Sequence, residues 1–260
     1  METLYVIKIG GNIVDNPLLL TECLQAFASI KGQAILVHGG GKLATSLAND
    51  MGVQQTMIDG RRVTDEETLK IVTMVYAGVI NKNIVAQLQS IGVNAIGLSG
   101  VDGNLIQAHK RVHETIDYGF VGDVDAINSD LIQALFASQM KLVVAPITHD
   151  GQGQLLNTNA DTIAQSIAVK MAAMFNVHLI YGFEKEGVLL NVNDPSSVIA
   201  KINQTNYSKL KSEKVIFEGM LPKIDNAFKA LEGGVQSVII GRAEKLNDLI
   251  NGTIGTTITI

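Results

Sequence analysis

Apolar residues along this chain follow two periods, and the two take turns. Short continuous apolar runs at 4–9, 34–37, 95–98, 142–147, 177–181 and 238–240 read as buried strands. Between them, 18–29, 43–48, 129–139 and 163–174 carry apolar residues at helical spacing. Thr64 and Glu67 stand at capping-box spacing ahead of Leu69, Val72, Val75, Tyr76 and Val79, so a helix is predicted to begin just after Arg62. Asp102-Gly103 and the glycines at 119 and 122 interrupt the rhythm and predict a β-hairpin excursion. After strand 177–181 come a polar loop, a hairpin-like stretch to Ile202, one helix, the strand at 238–240 and a β-branched tail at 256–260. Segments 195–197 and 204–214 are the most polar and are predicted to lie on the surface. Strands alternating with helices predict a mostly parallel α/β sandwich, and with no low-complexity linker the two halves are expected to share one sheet.

Composition narrows the class. The chain has 260 residues, 47% of them hydrophobic and 17% charged, which suits one large or two small well-buried units. A net charge of −5 without a basic run argues against nucleic acid as a partner. The apolar stretch at 163–173 is broken by Gln165 and Lys170 and is too short to span a bilayer, so no membrane partner is expected. The first strand is predicted to begin within a few residues of Met1, so no signal peptide is expected. The single cysteine, Cys23, fits a reducing, cytoplasmic setting and reads as a small apolar helix residue.

Candidate chemistry lies at the strand ends. The strand at 34–37 runs into Gly39-Gly40-Gly41 before a helix, a geometry in which main-chain N–H groups and a helix start converge on an anion. A P-loop is excluded, because Lys42 is followed by Leu43 and no glycine stands five residues before Gly41. Gly39, Gly41 and Ala44 do match a dinucleotide fingerprint, with Asp59 near the place of a ribose-binding acid. However, the loop follows the second strand and Asp59 ends no strand, so this match is weak. Lys8 precedes Gly10-Gly11 inside an apolar strand, where an unpaired ammonium is costly, and so requires an anionic partner. Asp161, at the mouth of a helix after Asn157 and Asn159, is the best candidate; alternatively it is a plain N-cap. Lys223 sits just inside a late helix. The five histidines show no metal-ligand spacing, and His38 reads as a structural residue at a strand end.

Lys8-Ile9-Gly10-Gly11, His38 to Gly41, Gly60 to Thr64, Gly97 to Gly100 with Asp102-Gly103, Gly119 to Gly122, Asn157 to Asp161 and Gly219 to Lys223 occur in one order over nearly the whole chain. Together they resemble the amino acid kinase family, most closely its short, arginine-insensitive members that act on an N-acyl-L-glutamate in arginine biosynthesis. The resemblance implies an open three-layer αβα sandwich with a mainly parallel central sheet. It implies an acceptor lobe at 1–175 that also makes the dimer contact, and an ATP lobe at 176–260. The implied reaction is ATP-dependent phosphorylation of the acceptor's side-chain carboxylate, N-acetyl-L-glutamate by default, with Mg²⁺ carried by ATP and no protein metal site. Carried over by position, Lys8 and Lys223 stabilise the moving phosphoryl group and Asp161 orients both. Gly10, Gly11, Gly40 and Gly41 offer main-chain N–H groups, while Arg62, Asn157 and Asn159 hold the acceptor. Phe183, Glu184, Gly187, Gly219 and Met220 meet the nucleotide. A cytoplasmic homodimer is implied. An ionised carboxylate needs no general base to attack phosphorus, and none stands out.

The chain departs from the family at 183–186, where Phe183 replaces a small hydroxyl residue and Glu184 the usual aspartate. Lys42 is a second departure: it, or Arg61, could pair with an extra carboxylate on a larger acyl group such as succinyl. The alternatives are therefore N-succinyl-L-glutamate as acceptor, a different amino acid kinase, or a ligand-binding relative without catalysis. Two retained lysines weigh against the last.

Overall fold

The computed structural model describes residues 1–58, 60–213, 215, 216 and 220–260. Asp59 and Gly219, both singled out above, lie outside them. The chain opens with β1 (Thr3–Ile9), the four-residue α1 (Gly11–Val14), α2 (Pro17–Ser29, capped by the Asn16 side chain), β2 (Gln33–His38) and α3 (Gly41–Asp50). A two-stranded hairpin, β3 (Met57–Ile58) and β4 (Arg61–Arg62), follows. The next helix starts later than predicted, because Asp65 rather than Thr64 caps it, accepting from the Thr68 N–H. It runs as α4 (Glu66–Thr73), a π-helical turn (Met74–Ile80) and α5 (Asn81–Ser90).

The π turn explains one misplaced residue. A regular stripe would bury Val79, but the wide turn carries that position outward, where Val79 is 59% exposed, and seats Ile80 in the core. The continuous run Glu66–Ser90 has 25 residues and by length and composition alone would cross a membrane, although polar residues interrupt its apolar positions. Here its apolar face, including Leu69, Val72, Val75, Ile84 and Leu88, is buried in the core.

After β5 (Ala95–Leu98) the chain leaves the main sheet as expected, through β6 (Ile106–Lys110) and β7 (Val121–Ile127), then returns by α6 (Ser129–Ala137) to β8 (Lys141–Val144). The run at 142–147 is not one strand. It breaks at Ala145-Pro146, since proline cannot donate to a ladder, and restarts as β9 (Ile147–His149). With β10 (Leu155–Thr158), strands β9, β7 and β6 close a small barrel that the sequence did not reveal.

The remainder is α7 (Ala160–Met171), β11 (Asn176–Phe183), β12 (Lys201–Ile202), α8 (Gln204–Ser212), α9 (Leu221–Glu232), β13 (Ser237–Arg242), α10 (Leu246–Ile250) and β14 (Thr256–Ile258). Thus two helices, not one, separate β12 from β13. The polar α8 is held by a reciprocal Asn203–Asn206 capping box rather than by an apolar stripe.

The central sheet has the order β12-β14-β13-β11-β1-β2-β8-β5 and is parallel except where β14 meets β13. Two layers of buried apolar side chains, one on each face, make it a three-layer αβα sandwich. β1 is central. The chain winds outward from it through β2, and later comes back on its other side as β11. Loops after β1, β2 and β11 therefore leave from one edge, at the place where the winding reverses and open α/β sheets form crevices.

Candidate active site

Strand periodicity aims Lys8. Leu4 and Val6 belong to the apolar layer beneath α7, and Lys8, two residues further on, points to the same face. At that end the layer stops and the first turn of α7 supplies Asp161. Asn159 is the true cap of α7, accepting from the Asp161 and Thr162 N–H groups, which frees the Asp161 carboxylate. Lys8 Nζ lies 2.8 Å from Asp161 Oδ1, and Lys223 Nζ, from the first turn of α9, lies 3.3 Å from Oδ2. Burial by itself would raise the Asp161 pKa, but the two ammonium groups outweigh it and hold the carboxyl below its usual range. One ionised carboxylate thus fixes two cations from opposite ends of the chain.

The glycine loops meet beside this triad. Gly39 N–H donates to Ile9 O (2.9 Å), tying the ends of β2 and β1 together. A Cβ on Gly11 would lie 3.6 Å from Gly41 N, so the two turns lie side by side. A Cβ on Gly40 would collide with Ile80 Cδ1 and press the Tyr76 ring at 3.2 Å. The first N–H groups of α3 have no intrahelical acceptor, and Gly41 and Lys42 border the open cleft.

Arg62, 8% exposed, is held by three segments. Its guanidinium donates to Gln55 Oε1, to Gly41 O (2.9 Å) and to Thr45 Oγ1 (2.9 Å). None of these acceptors is a carboxylate, so the charge stays available. Thr64 Oγ1 donates to Arg62 O (2.8 Å) and accepts from Asn157 Nδ2 (3.0 Å), which locks Asn157 to the same hairpin. Gln55 and Thr45 carried no signal in the sequence, while Thr64 and Tyr76 stood there only as a cap and a helix-face residue.

Two cavities share this ground. The narrower, about 220 Å³, is lined by Lys8, Gly11, Gly40, Gly41, Arg62, Asn157, Asn159 and Asp161 among others. The wider, about 830 Å³, is bordered by Lys8, Gly10, Phe183, Glu184, Met220 and Lys223. Gly187 joins neither: it packs against Thr256 and Val198, where a Cβ would approach both at 2.8 Å. Gly187, expected to meet the nucleotide, thus lies outside both cavities in a packed position, and the expected Gly219 lies outside the described residues. Lys42 borders the wide cleft and a separate hollow next to Asp15, but not the narrow cavity.

His38 has the structural character expected of it. Fully buried, its Nδ1 lies 2.8 Å from Gly39 O and its Nε2 3.3 Å from Asn81 Nδ2, an arrangement that suits the neutral ring. Burial lowers its pKa to about 4. Among the described residues no cluster of three His, Cys, Asp or Glu side chains could hold a metal.

A central parallel sheet with two glycine turns and a lysine–aspartate–lysine triad at one edge defines an anion-handling α/β enzyme. The profile of the amino acid kinase family matches residues 3–242, and the chain belongs to that family. It is 54% identical to the acetylglutamate kinase of Cytophaga hutchinsonii over 98% of both chains. With the acetylglutamate kinase of Bacteroides fragilis it shares 50% identity over 95% of this chain and 94% of that one. Among solved structures, the smu.665 protein of Streptococcus mutans superposes with a TM-score of 0.79 at 30% identity, covering 98% of each chain. A carbamate kinase of Giardia superposes with a TM-score of 0.72 at 14% identity, over 99% of this chain and 98% of that one, a likeness of fold alone.

Proposed function

We propose that this chain is an acetylglutamate kinase: it transfers the γ-phosphoryl group of ATP to the side-chain carboxylate of N-acetyl-L-glutamate, giving the acyl phosphate used in arginine biosynthesis. The observation that carries the reading is the Lys8–Asp161–Lys223 triad at the seam of the two cavities. The narrow cavity, built within 1–175, takes the acceptor. The wide cleft, completed by residues of 176–260, takes the nucleotide.

The acceptor carboxylate is already ionised at neutral pH and attacks phosphorus directly, so the protein's task is alignment and charge compensation. Arg62 holds the α-carboxylate, and Asn157 and Asn159 fix the acyl-amino group. Main-chain N–H groups at Gly10, Gly11, Gly40 and Gly41, with Lys8 and Lys223, face the oxygens that gain charge as the phosphoryl group moves. Asp161 keeps both ammonium groups in place. Phe183, Glu184 and Met220 meet the nucleotide. A Mg²⁺ would be held chiefly by the nucleotide's phosphates, since among the described residues no cluster of three His, Cys, Asp or Glu side chains offers a cage. That ion would supply further neutralisation of phosphate charge.

We place the enzyme in the cytoplasm as a homodimer. The exposed apolar Met74 (49%) and Val79 (59%) on the π turn support a contact through the 1–175 half. ADP release measured by a coupled assay with ATP, Mg²⁺ and N-acetyl-L-glutamate tests the reaction, and absence of ADP release would overturn it. Light scattering tests the dimer, for which a monomer mass is the contrary outcome.

A further inference from the structure

The loop after β11 is anchored at both ends by packed main chain and in its middle by charge. β11 and β13 run parallel and finish together, with Phe183 opposite Arg242. At the far end of the loop Gly187 packs against Thr256 and Val198, and the Val188 N–H donates to Thr256 Oγ1 at 2.8 Å. Residues 184–186 lie between these anchors and belong to no strand or helix, so the ladder that orders β11 does not reach them. Glu186 supplies the missing tie. Arg242 Nε lies 3.0 Å from its Oε1, and Lys245 Nζ, from the 3₁₀ turn Ala243–Lys245, lies 3.2 Å from the same oxygen. The Arg242 guanidinium also reaches Glu244 Oε1 through Nη1, at 3.1 Å.

Close main-chain approach makes this possible: a Cβ on Gly241 would lie 3.2 Å from Glu186 O, and one on Gly182 would lie 3.0 Å from Ala243 Cβ. The cluster differs from a solvated surface pair. The Glu244 side chain is 11% exposed, and its Oε2 has no hydrogen-bond partner among the described residues. Removing Arg242 would leave that carboxylate uncompensated. What the tie holds is a wall of the wide cleft. Phe183 and Glu184 border that cleft, whereas Glu186, Arg242 and Glu244 line neither cavity. Glu186 stands two residues from Glu184, so a shift of one carries the other with it.

We infer that Arg242 and Glu186 are positioning residues for the nucleotide: their ion pair, braced by Glu244, holds residues 183–186 so that Phe183 and Glu184 meet the ligand without reorganisation. The inference rests on the nucleotide reading of the wide cleft given above and adds residues that act through the loop. Order supplied in advance shows as affinity, because the loop then loses little freedom on binding.

The test combines steady-state kinetics with calorimetric titration of ADP in the wild type, Glu186→Gln, Arg242→Gln, the double variant and Arg242→Lys, with thermal melts confirming that each variant folds. Glu186→Gln and Arg242→Gln should each raise KM for ATP and Kd for ADP about five- to tenfold, while kcat and KM for N-acetyl-L-glutamate stay within about twofold. The double variant should be no worse than Arg242→Gln alone, the non-additivity expected of one shared contact, and Arg242→Lys should recover part of the loss. Unchanged nucleotide affinity in folded variants, additive effects, or a fall in stability and kcat without a selective rise in KM for ATP would overturn the inference and leave the kinase reading standing. A wild type that binds no ADP and turns over no ATP would overturn the kinase reading and the inference with it. Where Arg242→Gln fails to fold, Glu186→Gln decides by the same measurements, since its side chain is the more exposed of the two carboxylates paired with Arg242.

Discussion

The two sides of the cleft are built differently. On the proposed acceptor side polar groups are tied to a second segment: Arg62 to Gln55, Gly41 and Thr45, Asn157 to Thr64, and Gly39 to Ile9. On the proposed nucleotide side Phe183, Glu184 and Met220 border a space almost four times larger, about 830 against 220 Å³. The same contrast separates the lysines. Lys8 is fixed within a central strand with its side chain 11% exposed, whereas Lys223 reaches the shared aspartate from a helix start and is 23% exposed. Such a difference implies a preformed half that selects the acceptor and a more accessible half that admits a large, exchangeable cosubstrate.

Replacing the lysines gives the largest effects and the sharpest test of the contrast. Lys8→Met and Lys223→Met should each lower kcat by about 100- to 1000-fold, because both cations compensate charge in the transition state. Their effects on stability should differ. Lys8→Met strips a buried carboxylate of its nearer partner and should cost about 3 kcal/mol in urea unfolding, while Lys223→Met costs roughly 1 kcal/mol. Equal losses would break the comparison. Arg62→Lys comes next: it keeps the charge but loses the planar fork held by three acceptors, and KM for the acceptor should rise about 100-fold with little change in KM for ATP. A comparable rise in KM for ATP would show that the two sides are not separable.

Gly40→Ala should weaken acceptor binding about tenfold and destabilise by ~1–3 kcal/mol, since its methyl meets Ile80 and Tyr76. Adding Ile80→Ala should restore part of both, and no recovery would locate the strain elsewhere. Stability against pH tests the support behind the glycine loop. The unfolded His38 takes a proton near 6.5 and the folded one near 4. Its contribution is therefore complete above pH 6.5 and declines as pH falls toward 4, by up to about tenfold in the folding constant per pH unit. His38→Gln should flatten that slope in chemical denaturation, and an unchanged slope would assign it to other groups. On the open side, Glu184→Gln should change KM for ATP only about two- to fivefold, as expected for an accessible, weakly constrained contact. A larger change would make this side as preformed as the other.

Much of the framework was legible because its causes are local. The apolar runs, the glycines after β1 and β2 and the Asn157-to-Asp161 segment identify strands, turns and a helix start with few residues each. Lys8 demanded an anion by its position in an apolar strand, and the structure supplies Asp161. What stayed hidden depends on distant contacts. Nothing near Gln55 or Thr45 announces that they brace Arg62, because the hairpin and α3 meet only in three dimensions. The barrel of β6, β7, β9 and β10 is closed by short pairings, some across tens of residues. The apparent cap at Thr64 was misread because its hydroxyl serves Asn157, leaving Asp65 to cap α4. Arg61 and Lys42 are both cations beside glycines in the sequence, and only the fold separates the cavity each one faces.

The π turn at Met74–Ile80 stores information as length. Within it Tyr76 backs the proposed acceptor cavity, and just beyond it Asn81 supports His38 and bonds to Val143 O. Deleting one residue here would restore a regular helix and turn one of these sites by about 100° relative to the other, whatever side chains remained. Substitution scans would underrate this stretch, and an alignment that treats a one-residue gap there as neutral would join chains with differently phased acceptor cavities.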